Sequence, residues 1–113
     1  MTRPALVHGT SHMGLVHTPN EDAFAIAPRP DGGLLLIVCD GMGGMGRGDQ
    51  ASALAVTTLT AELVGAPVAD PSALDAAIRH ADVRVREQLC GPEGLPGATA
   101  VVVAVSPEGE ARV

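Results

Sequence analysis

Apolar runs separated by breaks rich in glycine and proline divide the chain into segments of strand and helix length. Alternating polarity over 22–27 predicts one strand, and the run at 34–39, apolar at every position, predicts another. Between them, at 28–33, prolines that fix φ and glycines that permit positive φ predict a hairpin turn, so the two strands are expected to pair antiparallel. Because the second strand is apolar on both faces, we expect one layer above it and another below.

Two helices are expected after this hairpin. The segment 49–64, rich in alanine and leucine, predicts a buried helix that ends at the break 65–67. Asp70 is typical of an N-cap and Pro71 of a first helical residue, so a second helix is expected from there to about Leu89. One face of that helix is apolar and comprises Leu74, Ala77, Ile78, Ala81, Val85 and Leu89.

Shorter segments stand towards the two ends of the chain. Residues 5–8 predict a short strand, and the apolar run at 98–105 predicts a longer buried one. A turn at 106–109 leads into a further strand that starts at 110. The unpaired edge of this strand and incomplete cover on the faces of 34–39 and 98–105 are expected to expose apolar surface, which favours poor solubility and self-association.

Composition and charge exclude several classes of function. The 113 residues, one compact domain at most, are 46% hydrophobic and carry 13 acidic against 7 basic side chains, a formal charge of −6. The basic residues are all arginines spread along the chain, which argues against nucleic acid or an anionic membrane as a partner, because both need clustered positive charge. Two pairs four residues apart, Asp75 with Arg79 and Asp82 with Arg86, are interpreted as solvated surface. No apolar run approaches the roughly 20 residues of a membrane span.

The two cysteines and the first residues bear on the cellular compartment. Cys39 lies in an apolar run and Cys90 beside a Gly-Pro break, so both are interpreted as thiols of a reducing compartment, with a disulfide as the alternative. The first residues lack the continuous apolar stretch of a secretion signal. The expected location is therefore the cytoplasm.

Three acidic residues are expected to meet at one end of the sheet. Glu21 and Asp22 stand at the start of one strand and Asp40 at the end of the next, and hairpin pairing brings those ends together. Carboxylates so close repel each other unless a cation neutralises them. Mg²⁺ or Mn²⁺ suits oxygen ligands, and no His/Cys cluster with zinc spacing occurs in the sequence. Each motif alone is more typical of an ordinary turn or loop than of a catalytic site, but their joint occurrence on adjacent strands favours a metal site.

The glycine-rich loop after Asp40 allows a second interpretation. Gly41, Gly43 and Gly46 match the G-x-G-x-x-G pattern of dinucleotide-binding domains, between a strand and a helix. Against it, Asp40 would place a carboxylate beside the pyrophosphate, and no parallel strand with a ribose-binding acid follows the helix. A Walker-type phosphate loop is excluded because the chain has no lysine.

Four segments together resemble a known family. They are GLVHTPNEDAF at 14–24, LIVCDGMGG at 36–44, GDQAS at 48–52 and GAT at 97–99. In this order and spacing they resemble the N-terminal half of bacterial metal-dependent protein serine/threonine phosphatases of the PPM, or type 2C, family. The resemblance implies an α+β fold for 1–113, as a partial domain of a four-layer α-β-β-α sandwich with antiparallel sheets. It also implies two Mg²⁺ or Mn²⁺ ions at one end of that sandwich.

The resemblance also implies roles for individual residues. Asp40 is expected to bridge both ions, Gly41 to offer its carbonyl, and Glu21 to bind one ion. Asp22 is expected to hold a water bound to the metal, and a water between the two ions would attack phosphorus in a phosphoprotein substrate.

This sequence departs from the family pattern in three respects. The mildest is Asp49 where the family more usually has Glu, since either acid suits the start of a helix. The family typically has an arginine for substrate phosphate where this chain has His17, which is otherwise a surface histidine, and Arg47 is the candidate substitute. The family's later aspartates are missing from the 113 residues, so the isolated chain is expected to bind metal weakly and to have negligible phosphatase activity. The alternative is a non-catalytic phosphatase-like module that acts by binding.

Overall fold

The computed structural model describes residues 6–15, 20–43, 47–67, 70–92 and 94–113, which form one mixed sheet-and-helix unit. Its strands pair in the order β1-β2-β4-β5, and β3 extends the pairing of β2. Every ladder between these strands is antiparallel. The elements are β1 (Asp22–Pro28), β2 (Leu34–Met42), α1 (Gly48–Leu63), α2 (Pro71–Leu89), β3 (Gly97–Ala98), β4 (Val101–Val105) and β5 (Ala111–Arg112).

The hairpin between β1 and β2 forms as its sequence predicts. Gly32 has a φ of 91°, in the left-handed region that glycine favours. The Arg29 amide donates to the Gly33 carbonyl over 2.9 Å, and the Gly33 amide donates to Asp31 Oδ1 over 2.8 Å. This turn fixes the register in which Asp22 lies opposite Asp40.

The core lies between one face of the sheet and the two helices. Alternate residues of β2 point to α1, which packs on β1 and β2, and α2 packs in turn on α1. The buried core comprises Leu35, Ile37, Cys39, Ala55, Val56, Leu59, Leu63, Ala77 and Ala81. A second, smaller buried cluster comprises Ala51, Val85 and Leu89.

Among the residues described, a helix layer covers only the inner face of β2, so the second layer that its apolar pattern predicts is not found there, in line with the incomplete cover expected for 34–39. Val38, on the face away from α1, is 54% exposed, whereas its neighbour Ile37 is 1% exposed. Phe24 is also exposed on this outer face. In the described part of the chain, only 7–11 lie against the outer face, with a cavity of about 470 Å³ between them and the strands.

Both helices match their predicted spans to within a residue. Asp70 Oδ1 accepts a hydrogen bond from the Ser72 amide over 2.9 Å, as expected of an N-cap followed by Pro71. The expected apolar face is wrong at Ile78, which is 45% exposed. The reason is that α2 packs on α1 along a single ridge of residues spaced four apart, namely Ala77, Ala81, Val85 and Leu89.

Two strand predictions need correction. The predicted strand at 98–105 is interrupted at 99–100, so it forms β3 and β4 instead. No strand occurs at 6–8, the described part of the predicted strand 5–8. The predicted turn at 106–109 forms, with the Gly109 amide donating to the Ser106 carbonyl, and β5 follows it.

The side chain of Arg29 joins the hairpin to the end of α1, which the sequence analysis missed. Arg29 is 8% exposed, and its Nη1 donates to the Leu63 carbonyl over 2.9 Å while its Nη2 donates to the Ala66 carbonyl. Leu63 is the last residue of α1, where the carbonyls carry the negative end of the helix dipole, and its carbonyl also accepts from the Ala66 amide over 3.2 Å. The buried guanidinium therefore caps α1.

Both cysteines and both helices lie among the residues that the structure describes. Cys39 is buried, Cys90 is exposed, and both are free thiols. Burial raises the pKa of the Cys39 thiol. Among the described residues, neither helix has the length and apolar character to cross a bilayer.

Candidate active site

Two carboxylates face each other where β1 begins and β2 nears its end. Asp22 and Asp40 are register partners, and both side chains are exposed on the outer face of the sheet. Desolvation and the negative charge of Asp40 together raise the pKa of Asp22. Two carboxylates held opposite each other repel, and a cation beside them would neutralise both groups.

Backbone hydrogen bonds hold Asp40 on the side away from Asp22. The Thr99 amide donates to the Asp40 carbonyl over 2.9 Å, and the Asp40 amide donates to Thr99 Oγ1 over 3.2 Å. Directly after Asp40, the Gly41 amide donates to the Glu21 carbonyl over 3.0 Å. The strand end that carries Asp40 is therefore tied to both of its neighbours.

The carboxylate of Glu21 lies against the start of α1 and is not grouped with the two aspartates. A Cβ atom at Gly48 would overlap Glu21 Oε2, and one at Gly41 would overlap the Gly48 carbonyl. Both positions therefore require glycine, because strand and helix approach there backbone to backbone. Glu21 Oε2 is buried and has no hydrogen-bond partner among the residues that the structure describes.

The structure thus brings together only some of the residues that the sequence singled out. Asp22 and Asp40 are adjacent, Gly41 follows directly in β2, and Glu21 is turned towards α1. In the described parts of the chain, no three His, Cys, Asp or Glu side chains are grouped so that they could hold one metal ion. Arg47 is half-buried at the residue before α1.

Two sequence candidates cannot be placed, and one alternative is corrected. His17 and Gly46 lie outside the described residues. The dinucleotide-binding interpretation requires β2 to lie in a parallel sheet, whereas β2 pairs antiparallel with β1, β3 and β4. That interpretation is therefore wrong for this fold, although Gly43 does adopt a φ of 73°.

Sequence reasoning gave no role to two further residues at this end of the sheet. Thr99 belongs to the GAT segment, and its signal is a hydroxyl residue that interrupts an apolar run. Asp49 lies in the first turn of α1, and its Oδ1 is buried with no hydrogen-bond partner in the described part of the chain. The burial of Asp49 Oδ1 depends on how α1 packs, which its sequence neighbourhood does not reveal.

Comparison with known families identifies the chain. The family model for protein phosphatase 2C matches residues 8–112, almost the whole sequence. The chain belongs to the protein phosphatase 2C family. The Asn-Glu-Asp and Asp-Gly-Met-Gly-Gly segments at 20–22 and 40–44 fall within the matched range.

Solved phosphatases share the fold of this protein phosphatase 2C chain. The PPM Ser-Thr phosphatase MsPP from Mycobacterium smegmatis, solved in complex with cacodylate, is 35% identical with a TM-score of 0.70, over 85% of this chain and 38% of that chain. An arginine-to-alanine variant of a bacterial serine phosphatase is 25% identical with a TM-score of 0.70, over 83% of this chain and 46% of that one.

A third structure extends the likeness in fold alone. The serine/threonine phosphatase of S. agalactiae is 23% identical with a TM-score of 0.66, over 84% of this chain and 41% of that one. This chain therefore spans less than half the length of each of these phosphatases. No curated protein sequence matches it significantly. The expected mixed fold of helices and antiparallel strands, as part of a larger phosphatase domain, is confirmed.

Proposed function

We propose that this chain supplies the first ligands of a divalent-metal centre, and that the protein containing it hydrolyses phosphoserine and phosphothreonine in other proteins. The observation that carries the proposal is the facing pair Asp22 and Asp40, in a chain that matches the phosphatase family over 8–112. All four expected donors, Glu21, Asp22, Asp40 and Gly41, are oxygen donors, which Mg²⁺ and Mn²⁺ prefer.

The residues present fit such a centre in part. Asp22 and Asp40 are opposite each other in the strand register, and desolvation together with the nearby charge of Asp40 raises the pKa of Asp22, so a cation beside the pair would relieve their repulsion. The buried, partnerless Glu21 Oε2 is a second indication, because buried carboxylate oxygens normally have a donor or a cation as partner. Glu21 must move from its place beside Gly48, or bind through its other oxygen, to join the two aspartates.

Each residue has a distinct role in the proposed reaction. Asp40 would hold both ions through its carboxylate, Gly41 would add its carbonyl, and Glu21 would hold one ion. Asp22 would accept a hydrogen bond from water at the site and so orient that water towards phosphorus. When bound, the two ions supply Lewis acidity that polarises phosphoryl oxygens and acidifies water.

The substrate is proposed to be a phosphoprotein. MsPP was solved with cacodylate, an oxyanion with tetrahedral geometry like that of a phosphoryl group. Arg47, half-buried before α1, is the described arginine that we propose for a charge-assisted contact with the substrate phosphate. His17 is the second candidate for this contact on sequence grounds. Free Cys39 and Cys90 support a reducing, cytoplasmic location.

A chimera tests the proposal, because the chain spans only 38% of MsPP. Residues 8–112 would replace the matching part of MsPP, and phosphate release from phosphothreonine and phosphoserine peptides would be measured with and without Mn²⁺. We expect turnover that depends on Mn²⁺. It should fall at least about a hundredfold in an Asp40→Asn chimera, because losing a metal ligand lowers activity more than losing a residue that only supports a ligand. Asp75→Asn, which changes an exposed carboxylate on α2, is the matched control.

Two outcomes would contradict the proposal. One is a folded chimera that binds Mn²⁺ and releases no phosphate, which would favour the non-catalytic binding module. The other is an Asp40→Asn chimera as active as the unaltered one, which would remove Asp40 from the site.

A further inference from the structure

Thr99 lies opposite Asp40 at the point where the regular pairing of β2 is interrupted. Val38 pairs with Val101 in β4, and Gly41 pairs with Ala98 in β3. Counting inward from both pairs places Asp40 opposite Thr99, so β3 and β4 follow one continuous register. Residues 99–100 nevertheless lack strand geometry.

The Thr99 side chain replaces one hydrogen bond of this ladder. In a regular antiparallel ladder, residues of a hydrogen-bonded pair exchange two N–H···O=C bonds through their main chains. Here the Thr99 amide donates to the Asp40 carbonyl over 2.9 Å, as in a regular ladder, but the Asp40 amide donates to Thr99 Oγ1 over 3.2 Å. A residue without a hydroxyl group at 99 would leave that amide without this acceptor.

This contact acts on the residue that matters most for the proposed site. The ladder with β1 holds Asp40 on one side, where Asp22 is its partner, and Thr99 holds it on the other. Strand ends fray when their hydrogen bonds are exposed, and the bond from the Asp40 amide to Thr99 is exposed. The position of the Asp40 carboxylate follows from the position of its backbone. The hydroxyl of Thr99 therefore limits where that carboxylate can lie.

We infer that Thr99 is a positioning residue, whose hydroxyl group fixes the backbone of Asp40 so that the Asp40 carboxylate is held in place for a divalent cation. The inference rests on the proposed metal centre and extends it to a residue that does not touch the metal. Supporting hydrogen bonds of this kind typically contribute ten- to a hundredfold to metal affinity.

The test compares three threonine variants of this chain. Thr99→Val keeps the shape and removes the hydroxyl, Thr99→Ser keeps the hydroxyl, and Thr57→Val removes a hydroxyl that donates to the Ala53 carbonyl within α1. Thr57 and Thr99 are both exposed, so neither valine fills a core position. Hydrogen exchange of the Asp40 amide is followed by NMR without metal. Mn²⁺ affinity is measured from the electron paramagnetic resonance signal of free Mn²⁺.

We expect Thr99→Val to speed exchange of the Asp40 amide and to weaken Mn²⁺ binding about ten- to a hundredfold. Thr99→Ser should restore both values towards those of the unaltered chain, and Thr57→Val should change neither. If Thr99 contributed only to overall stability, Thr99→Val would lower the melting temperature, but the valine and serine variants would not differ in Asp40 exchange and Mn²⁺ affinity.

The outcomes separate this inference from the proposed function. If the unaltered chain binds Mn²⁺ and Thr99→Val binds it equally well, the role of Thr99 is overturned and the metal centre stands. An affinity loss that serine fails to restore, or that Thr57→Val shares, also overturns it. If the unaltered chain binds no Mn²⁺, the proposed centre fails in this chain. Faster Asp40 exchange in Thr99→Val would then still support the backbone contact, and unchanged exchange would overturn it.

Discussion

The two faces of the sheet have similar apolar character but differ in what covers them. On the inner face, Ile37 is 1% exposed beneath α1, whereas Val38, the next residue along β2, is 54% exposed on the outer face. The inner face of β1 carries only alanines, at positions 23, 25 and 27, and these small side chains let the helix approach closely. The acidic pair of Asp22 and Asp40 lies on the outer face, so the candidate site and the exposed apolar surface share one side of the molecule.

An apolar pattern along a strand therefore predicts which faces can be buried, but it does not predict whether another layer covers them. The inner face is complete, with a helix layer packed on it. The outer face carries exposed apolar side chains and, at one end, the acidic pair. Among the described residues, this pair brings together two carboxylates of the proposed metal centre and no third. Both incomplete features agree with a chain that spans 38–46% of its phosphatase neighbours.

The largest expected effect separates the two faces directly. Ile37→Ala removes buried methyl and methylene groups beneath α1 and should lower the free energy of unfolding by about 2–5 kcal/mol. Val38 is the next residue and lies on the outer face, so Val38→Ala should lower the free energy of unfolding by about 0.5 kcal/mol or less. Urea denaturation followed by circular dichroism measures both. Equal losses would mean that the outer face is covered in solution.

The buried cap of α1 should produce the next largest effect. Arg29→Met keeps much of the side-chain volume but removes the guanidinium that donates to the Leu63 and Ala66 carbonyls. The Leu63 carbonyl keeps its bond from the Ala66 amide, and the lost bonds should lower the free energy of unfolding by about 1–3 kcal/mol. Arg79→Met, which removes an exposed arginine paired with Asp75, should cost about 0.5 kcal/mol or less. The same urea titration compares them. If Arg29→Met lowers the free energy of unfolding no more than Arg79→Met does, the cap does not stabilise the fold.

The exposed outer face should make the chain self-associate. Phe24, Val38 and Val101 expose apolar surface there, and burial of this surface against a second copy is favourable. Val38→Lys should shift the sedimentation velocity profile towards the monomer. Val83→Lys is the matched control, because Val83 is a comparably exposed valine on α2. A monodisperse monomer at every concentration of the unaltered chain would contradict this prediction.

The smallest expected effect lies in the helix layer and depends on pH. Hydrogen bonds from the Ser72 side chain and backbone lower the pKa of Asp70 below its usual 3.8. A lowered pKa in the folded state means that the ionised carboxylate stabilises the fold above the unfolded pKa, and this contribution is lost as pH falls through the folded pKa. Thermal melts of Asp70→Ala and the unaltered chain should therefore differ at neutral pH and converge below pH 3.8. A difference that does not change with pH would contradict this linkage.

Local chemistry explains which parts of the fold could be predicted from the sequence. The hairpin at Gly32 and the start of α2 at Asp70 depend on residues next to them, and both form as expected. Arg29 was missed because its partner Leu63 lies 34 residues away and is a backbone carbonyl, which leaves no mark in the sequence. The interruption at Thr99 was missed because a threonine suits a strand as well as a strand end.

The candidate site was predictable to a similar extent. The strand pairing that places Asp22 opposite Asp40 follows from the turn at 28–33. The direction of the Glu21 carboxylate could not be predicted, because it depends on how closely Gly48 at the start of α1 approaches the strand. That approach is a property of packing between distant segments.

Titration of the isotope-labelled chain with Mn²⁺, followed by NMR, tests the central claim most directly. The paramagnetic ion broadens the signals of amides close to where it binds. We predict broadening that begins at Asp22, Asp40 and Gly41, and that disappears in the Asp40→Asn variant while persisting in the Asp75→Asn control. Broadening centred elsewhere, or unchanged by Asp40→Asn, would contradict the claim that this end of the sheet is a metal centre.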